Sequence, residues 1–240
     1  MKLIKNTALA LSILFAGGLL VRLYQNIEIS RAVNAPQLLE NYAREKVGSE
    51  VVKIMGQNGS GSGFYFKYRN KNMVMTNGHV CVMKSPVGNI FVAKGKLKEV
   101  RKVLFESKVA DICFIEGDGK SHGLELAGSV KIGDAVITAG HPSGQKLTVS
   151  YGSYIGEERV TVILPVEIDA VGGKIYVPMR KDFEASQFHL YSRPGSSGSV
   201  ITNMEGEIIG LLFAGSPYDN RQTFGMSLES IREAINSYGK

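Results

Sequence analysis

The stretch RPGSSGSVITNMEGEIIGL, residues 193–211, points to a β fold because it joins a tight glycine-serine turn to a β-hairpin pattern. Two short apolar runs, VIT and IIGL, follow the turn and are separated by NMEGE. Runs of this length, rich in β-branched residues and bounded by turn residues, are typical of paired strands. The turn from Gly195 to Gly198 is either an ordinary surface turn or a loop that presents a serine nucleophile.

The same pattern of short strands and turns extends over most of the 240-residue chain. Glycine is frequent, with 28 residues, and tryptophan is absent. Helical periodicity is restricted to a short segment, Pro36–Val47, and to the C-terminal SLESIREAINSYGK, residues 227–240. About twelve strands predict an all-β fold of two six-stranded antiparallel β-barrels, with a C-terminal helix and a preceding N-terminal apolar helix.

The N-terminal segment, residues 1–25, predicts that the chain is directed to or across a membrane. Lys2 and Lys5 precede an apolar run over residues 7–21. This run is long for a signal-peptide core and short for a spanning helix of about 17–25 residues. Because no small-x-small cleavage site follows directly, the pattern favours an uncleaved anchor with the rest of the chain on the extracytoplasmic side. The alternative is secretion after signal cleavage.

The remaining motifs exclude several classes of function. NGSGSG, residues 58–63, precedes a strand pattern, whereas a phosphate-binding loop opens a helix. We predict no metal or other cofactor, since the chain lacks His-Glu-x-x-His and clustered cysteines. The basic stretch Lys94–Lys108 is interpreted as the solvated face of a hairpin, without a nucleic-acid partner. Cys81 and Cys113 either pair, remain buried thiols or react.

Three residue types needed for serine chemistry occur in order. A serine hydroxyl needs a base, and a histidine base needs a carboxylate that orients it. His79 stands in MTNGHV, just after a β-rich run that ends at Thr76. Asp111 stands in the apolar run VADICFIE, where a carboxylate is costly unless a partner meets it. Each feature is weak alone, but the order His79, Asp111, Ser197 on these elements predicts a catalytic triad.

With GSGSGFYF, residues 59–66, and VKIGDAVITAGHPSGQKLTVSYGSYIG, residues 130–156, these motifs resemble trypsin-like (chymotrypsin-fold) serine proteases. The match is most similar to the HtrA/Deg branch and runs from about Val51 to the C-terminal helix. The family's Gly-x-Ser-Gly pattern implies Ser197 as the nucleophile, with the N–H groups of Gly195 and Ser197 as oxyanion donors. The resemblance also implies a primary pocket lined by Tyr191, Phe213, Ala214, Gly215 and Gly225. With no acid at its presumed base, we expect an apolar P1 side chain.

The resemblance implies a domain organisation as well. We expect a membrane anchor or signal segment (1–25), a linker with a short helix (26–48) and a protease domain (49–240). The last comprises barrel one (49–127), barrel two (128–227) and a closing helix (228–238). Many Deg-type proteases carry a peptide-binding PDZ domain after the protease, and no such domain is expected here.

The predicted function is a serine endopeptidase that acts on polypeptides through an acyl-enzyme. Trypsins carry an aspartate before the nucleophile to receive a freed N-terminus; Ser196 stands there, so activation by cleavage is not expected. One alternative is a protease-fold binding protein that has lost turnover. A lipase-type fold is disfavoured because its Gly-x-Ser-x-Gly elbow would need glycine at Ser199.

Overall fold

The computed structural model describes residues 37–56, 59–107, 109–170, 173–216, 219 and 221–240. The predicted N-terminal apolar helix and the anchor or signal segment lie outside the described residues. Within the described ranges, no helix combines the length and the apolar character that crossing a membrane requires. Residues 37–46 are helical (α1), within the segment predicted to form a short helix. Both barrels belong to one compact unit, Ala43–Lys240.

Barrel one is a closed antiparallel barrel with the strand order β1-β2-β3-β6-β5-β4. A single helical turn, α2 (Gly78–Cys81), follows β3. The six strands are β1 (Val51–Gly56), β2 (Gly59–Tyr68), β3 (Lys71–Thr76), β4 (Asn89–Lys94), β5 (Leu97–Glu106) and β6 (Cys113–Glu116).

Barrel two is closed in the corresponding order, β10-β11-β12-β9-β8-β7. The fold class predicted from the sequence, two six-stranded antiparallel barrels with a C-terminal helix, is therefore confirmed, whereas the domain boundaries given above stay predictions. The strands of barrel two are β7 (Ala135–Gly140), β8 (Thr148–Ala170), β9 (Gly173–His189), β10 (Val200–Thr202), β11 (Ile208–Gly215) and β12 (Gln222–Ser227).

Alternation along the strands builds the cores. On β1, Val52 and Ile54 point into barrel one, whereas Val51 packs on the opposite side of the strand against a second cluster. That second cluster joins residues of both barrels, including Phe64 of β2 and Leu211 of β11. Since side chains of a strand alternate between its faces, one strand serves the barrel interior and the cluster shared by the barrels.

The C-terminal helix α3 (Leu228–Tyr238) connects the end of barrel two to barrel one. Ser227 caps it, since its side chain accepts a hydrogen bond from Ser230 N. Ile231 is fully buried in the shared cluster. Tyr238 makes an edge contact with Phe114 of β6, with the ring centroids 5.7 Å apart. The Ser227 cap and the apolar face position this helix, which the helical periodicity of residues 227–240 predicted.

The region after β7 differs from the sequence prediction. The sequence predicts short strands throughout, but β8 and β9 form one long two-stranded ribbon. The two strands pair continuously from Ser153 opposite His189 to Ala170 opposite Gly173. Gly156 has a φ of 145° and lies at a register shift, so it forms a β-bulge and the strand continues.

Candidate active site

His79 and Asp111 meet at one end of barrel one. His79 lies on α2, three residues after Thr76, the last residue of β3. Asp111 Oδ1 accepts a hydrogen bond from the backbone N–H of His79 at 2.8 Å, and Oδ2 lies 2.7 Å from His79 Nδ1. A carboxylate can only accept at this contact, so Nδ1 carries the proton and Nε2 is left as the basic nitrogen.

Asp111 lies just before β6. The apolar run around it had suggested instead that it lies inside a strand. Its side chain is 2% exposed and that of His79 is 23% exposed, so the imidazole covers the carboxylate. Asn77 Nδ2 donates to the carbonyl oxygen of Asp111 at 3.1 Å and fixes the backbone there. A Cβ at Gly78 would lie 3.1 Å from Asp111 Oδ1, so the helical turn approaches the carboxylate closely.

A disulfide reinforces this half of the site. Cys81 and Cys113 are bonded to each other, and both are completely buried. Each lies two residues after one partner of the His79–Asp111 pair, so the bond joins α2 to the start of β6. The sequence left the state of these cysteines open among three alternatives, and the structure selects pairing.

Ser197 lies on the loop between β9 and β10 and is held mainly by its backbone. Its carbonyl oxygen accepts a hydrogen bond from Ser62 N of β2 at 2.8 Å. The carbonyl of Ser62 in turn accepts from Thr76 Oγ1, at the end of the strand that leads to His79. Gly198 has a φ of 84°, and a Cβ there would meet Ser62 O at 1.9 Å, so only glycine fits.

The hydroxyl of Ser197 does not engage His79 in this structure. Its Oγ donates to the carbonyl oxygen of Phe213 at 3.2 Å, and among the described residues no hydrogen bond joins Ser197 to His79. Of the three predicted catalytic residues, the structure therefore pairs His79 with Asp111 and leaves Ser197 on a separate hydrogen bond. Catalytic hydrogen bonds are often absent or misaligned before substrate binds.

Two backbone amides on the same loop are available to a ligand. Within the described part of the chain, neither Gly195 N nor Ser197 N donates to another protein group. The carbonyl of Pro194 accepts from Ser143 N at 2.9 Å and from Ser143 Oγ at 3.3 Å. In a trans peptide the C=O and N–H point in opposite directions, so this contact turns the Gly195 N–H away from Ser143.

Barrel one supports the loop that carries Ser143. His141 N donates to Ser62 Oγ at 2.8 Å, and Lys53 Nζ donates to the carbonyl of Gly144 at 2.5 Å. Burial lowers the pKa of His141, which keeps its imidazole neutral beside Lys53. Ser62, Lys53 and Ser143 were not identified from the sequence, because no local motif marks residues whose partners are main-chain atoms of other segments.

A cavity of about 500 Å³ opens beside Ser197. Four of the five residues expected to line the primary pocket line this cavity, namely Tyr191, Phe213, Ala214 and Gly215. Gly225 does not, because a Cβ there would point toward Ile201, Leu211 and Phe188 within barrel two. The sequence prediction omitted several further lining residues, namely Ser192, Arg193, Pro194, Gly195, Leu212 and Ser216.

Arg193 is the most polar of these additions. Its Nε donates to Tyr191 Oη at 2.6 Å, and its guanidinium lies 5.0 Å from the centroid of the Tyr191 ring. No carboxylate lines the cavity among the described residues. The same part of the chain contains no group of three or more histidine, cysteine, aspartate or glutamate side chains that could hold a metal ion.

Comparison with known proteins agrees with this geometry. A family model described as "Trypsin-like peptidase domain" matches residues 61–211, more than half of the chain. The chain is 25% identical over 178 residues to "Serine protease Do-like HtrA" of Lactobacillus helveticus, which covers 74% of this chain and 40% of the relative. It is 25% identical over 204 residues to "Serine protease Do-like HtrB" of Bacillus subtilis, covering 76% and 42%. The chain thus spans about two fifths of the length of these curated relatives.

Solved structures share the fold at low sequence identity. The active form of the Rv3671c protease from M. tuberculosis superposes with a TM-score of 0.68 at 20% identity, covering 85% of this chain and 87% of that one. A serine endoprotease from Yersinia pestis gives a TM-score of 0.62 at 16% identity, covering 82% and 65%. From the family match, supported by the two-barrel fold, we conclude that this chain belongs to the trypsin-like peptidase family.

Proposed function

We propose that this protein is a serine endopeptidase that cleaves polypeptides through an acyl-enzyme. The observation that carries the proposal is the buried Asp111 carboxylate, which accepts from both the backbone N–H and the imidazole of His79. This double contact orients the ring and stabilises the imidazolium that forms when His79 removes a proton. A histidine held in this way is arranged for general-base catalysis rather than for packing.

The proposed reaction begins when Ser197 Oγ leaves the carbonyl of Phe213 and turns to Nε2 of His79. His79 takes the hydroxyl proton while Oγ attacks the substrate carbonyl carbon, and the resulting oxyanion accepts hydrogen bonds from Gly195 N and Ser197 N. The imidazolium then protonates the leaving amine, which breaks the peptide bond. Water, deprotonated by His79, hydrolyses the acyl-enzyme and restores Ser197.

A fluorophosphonate probe tests the nucleophile in the full chain. We expect the parent protein to be labelled and Ser197→Ala to be unlabelled, with Ser196→Ala as the matched control that keeps its label. The first predicted alternative, a binding protein without turnover, is favoured by the Ser197 Oγ contact to Phe213. Folded parent protein that resists labelling at every pH would establish that alternative, and label retained by Ser197→Ala would contradict our choice of nucleophile.

We further propose that the cavity beside Ser197 receives an apolar P1 side chain. Leu212, Phe213 and Ala214 supply apolar surface, and the absence of a carboxylate among the described lining residues removes the usual partner of arginine and lysine. Matched peptides with leucine, alanine, arginine or glutamate at P1 test this specificity. We expect the highest kcat/KM for leucine or alanine. A preference for glutamate would instead indicate that the guanidinium of Arg193 binds the P1 carboxylate.

Membrane attachment with the protease domain on the extracytoplasmic side is also a proposal. Its support is the apolar run over residues 7–21 and the buried Cys81–Cys113 disulfide, since disulfides persist mainly in oxidising compartments. The test is cell fractionation with alkaline extraction, followed by digestion of intact cells with an added protease. A mature N-terminus that begins after residue 25 would favour the secreted alternative. A protease domain that resists digestion in intact cells would show that it lies inside the cell.

A further inference from the structure

The hairpin formed by β4 and β5 presents an outer face that no other element covers within the described part of the chain. The strands pair from Asn89 opposite Lys102 to Lys94 opposite Leu97. Ile90 and Val92 of β4 are buried inside barrel one. The alternate residues therefore point away from the barrel, where Phe91 lies directly opposite Val100.

Large apolar side chains are exposed on this hairpin. Phe91 is 42% exposed and Val100 is 55% exposed on the outer face, and Leu97, at the end of the hairpin, is 70% exposed. Single exposed apolar side chains are normal on protein surfaces. Phe91 and Val100 are neighbours on the outer face, whereas Leu97, paired with Lys94, lies on the other face at the exposed end of the hairpin. Large apolar side chains exposed this close together indicate an interaction surface that includes the end of the hairpin.

Unpaired lysines are interleaved with these apolar residues. Among the described residues, Lys96, Lys98 and Lys102 have no carboxylate partner, and Lys98 Nζ lies 4.2 Å from the centroid of the Phe91 ring. The nearby carboxylates are already engaged, because Glu99 pairs with Arg101 and Glu106 pairs with Lys84. The hairpin therefore carries uncompensated positive charge beside exposed apolar surface. We call Phe91, Lys96, Leu97, Lys98, Val100 and Lys102 the hairpin patch.

We propose that the hairpin patch binds the surface of an anionic lipid bilayer. Lysines beside aliphatic side chains match a membrane interface, where the ammonium groups contact lipid phosphates and the apolar groups enter the boundary of the acyl chains. A nucleic acid offers phosphates but no apolar layer for Leu97 and Val100; proteins that bind single strands present aromatic platforms for the bases. This surface is separate from the proposed catalytic residues and from the N-terminal segment, so it goes beyond the proposed function.

The absence of tryptophan makes a direct test possible. Leu97→Trp in the full chain introduces a single fluorophore at the end of the hairpin. The control reporter is Ile132→Trp, which replaces a side chain that is 77% exposed just before β7. Both proteins are mixed with vesicles of phosphatidylcholine alone or of phosphatidylcholine with phosphatidylglycerol, with brominated acyl chains as quenchers. Neither reporter depends on peptidase activity.

We expect the Leu97→Trp emission to shift to shorter wavelength and to be quenched only in anionic vesicles, while the control reporter is unchanged. Replacing Lys96, Lys98 and Lys102 together by glutamine in the Leu97→Trp protein should weaken the response to anionic vesicles about 100-fold. Thermal unfolding verifies that the variants fold. Equal quenching of both reporters, equal responses in the two vesicle types, or no response at all would overturn the proposal. Saturable binding of single-stranded RNA that displaces anionic vesicles would reassign the patch to nucleic acid.

Discussion

The two halves of the candidate active site are held by different kinds of contact. In barrel one, side chains position His79, through the Asp111 carboxylate and the nearby disulfide. In barrel two, main-chain hydrogen bonds position Ser197 and Gly195, through Ser62 N and the Ser143 contact to Pro194. The proposed base therefore depends on residue identity, whereas the oxyanion donors depend on the path of the backbone.

We expect the greatest loss of activity when the contact between Asp111 and His79 in barrel one is broken. Asp111→Asn replaces the acceptor at His79 Nδ1 with an amide that can donate, which favours the wrong imidazole tautomer. We expect kcat for peptide hydrolysis to fall about 10⁴-fold with the fold unchanged. Asp182→Asn, an exposed carboxylate on β9, is the matched control and should retain activity. A loss of less than tenfold for Asp111→Asn would show that its contact to His79 is not catalytic.

Removing the disulfide tests the same half through stability. Replacing Cys81 and Cys113 together by alanine opens a covalent link between positions 32 residues apart. We expect a loss of about 3–4 kcal/mol in the free energy of unfolding. Thermal unfolding should move down by about 10 °C. The parent treated with a reductant under denaturing conditions and refolded is the control, and an unchanged midpoint in the double variant would refute a stabilising role.

A substitution at Ser143 tests the main-chain hydrogen bonds that position Gly195 and Ser197 in barrel two. Ser143→Pro deletes the N–H that holds Pro194 O, and proline also cannot adopt the φ of 52° at this position, so the turn rearranges and the Gly195 amide loses its fixed direction. We expect kcat to fall about 10²- to 10³-fold with little change in KM, because oxyanion contacts act in the transition state. Ser143→Gly keeps the N–H and accepts the φ of 52° found at this position, so it should retain most activity.

The affinity of a peptide aldehyde provides a second measurement for this loop, since its adduct with a serine carries an oxyanion. It should weaken in Ser143→Pro by about the same factor as kcat. If Ser143→Gly and Ser143→Pro lose activity equally, the Ser143 amide is not the supporting contact.

The smallest effect concerns pH and the His141 loop that links the halves. Burial lowers the pKa of His141 below its ordinary value of 6.5, so the unfolded chain binds a proton that the folded chain resists. The contribution of His141 to the free energy of unfolding is fully present above pH 6.5 and is lost as the pH falls through the lowered pKa. In His141→Asn, thermal midpoints should fall less steeply on acidification than in the parent. Parallel pH profiles for the two proteins would contradict this role.

Local sequence patterns predicted much of the fold, and they proposed the candidate site residues, of which the structure pairs His79 with Asp111. Short apolar runs bounded by turn residues marked the barrel strands, and the helical periodicity of residues 227–240 marked the closing helix. The ribbon of β8 and β9 was not predicted, because its length depends on continuous pairing of the two strands across the bulge at Gly156. Gly225 was misplaced because the direction of its missing side chain depends on the pairing of β12 within the barrel.

By itself, the sequence determined which residue types were available and where strands, turns and the final helix could form, because these follow from period-two alternation, caps and turn residues nearby in the chain. Three contacts could be identified only in the folded chain: Cys81 bonds to Cys113, Ser62 bridges the barrels and Ser143 holds Pro194. The physical reason is that backbone N–H and C=O groups are nearly the same in every residue. A contact made by the main chain across a fold therefore leaves little mark on the residues that make it.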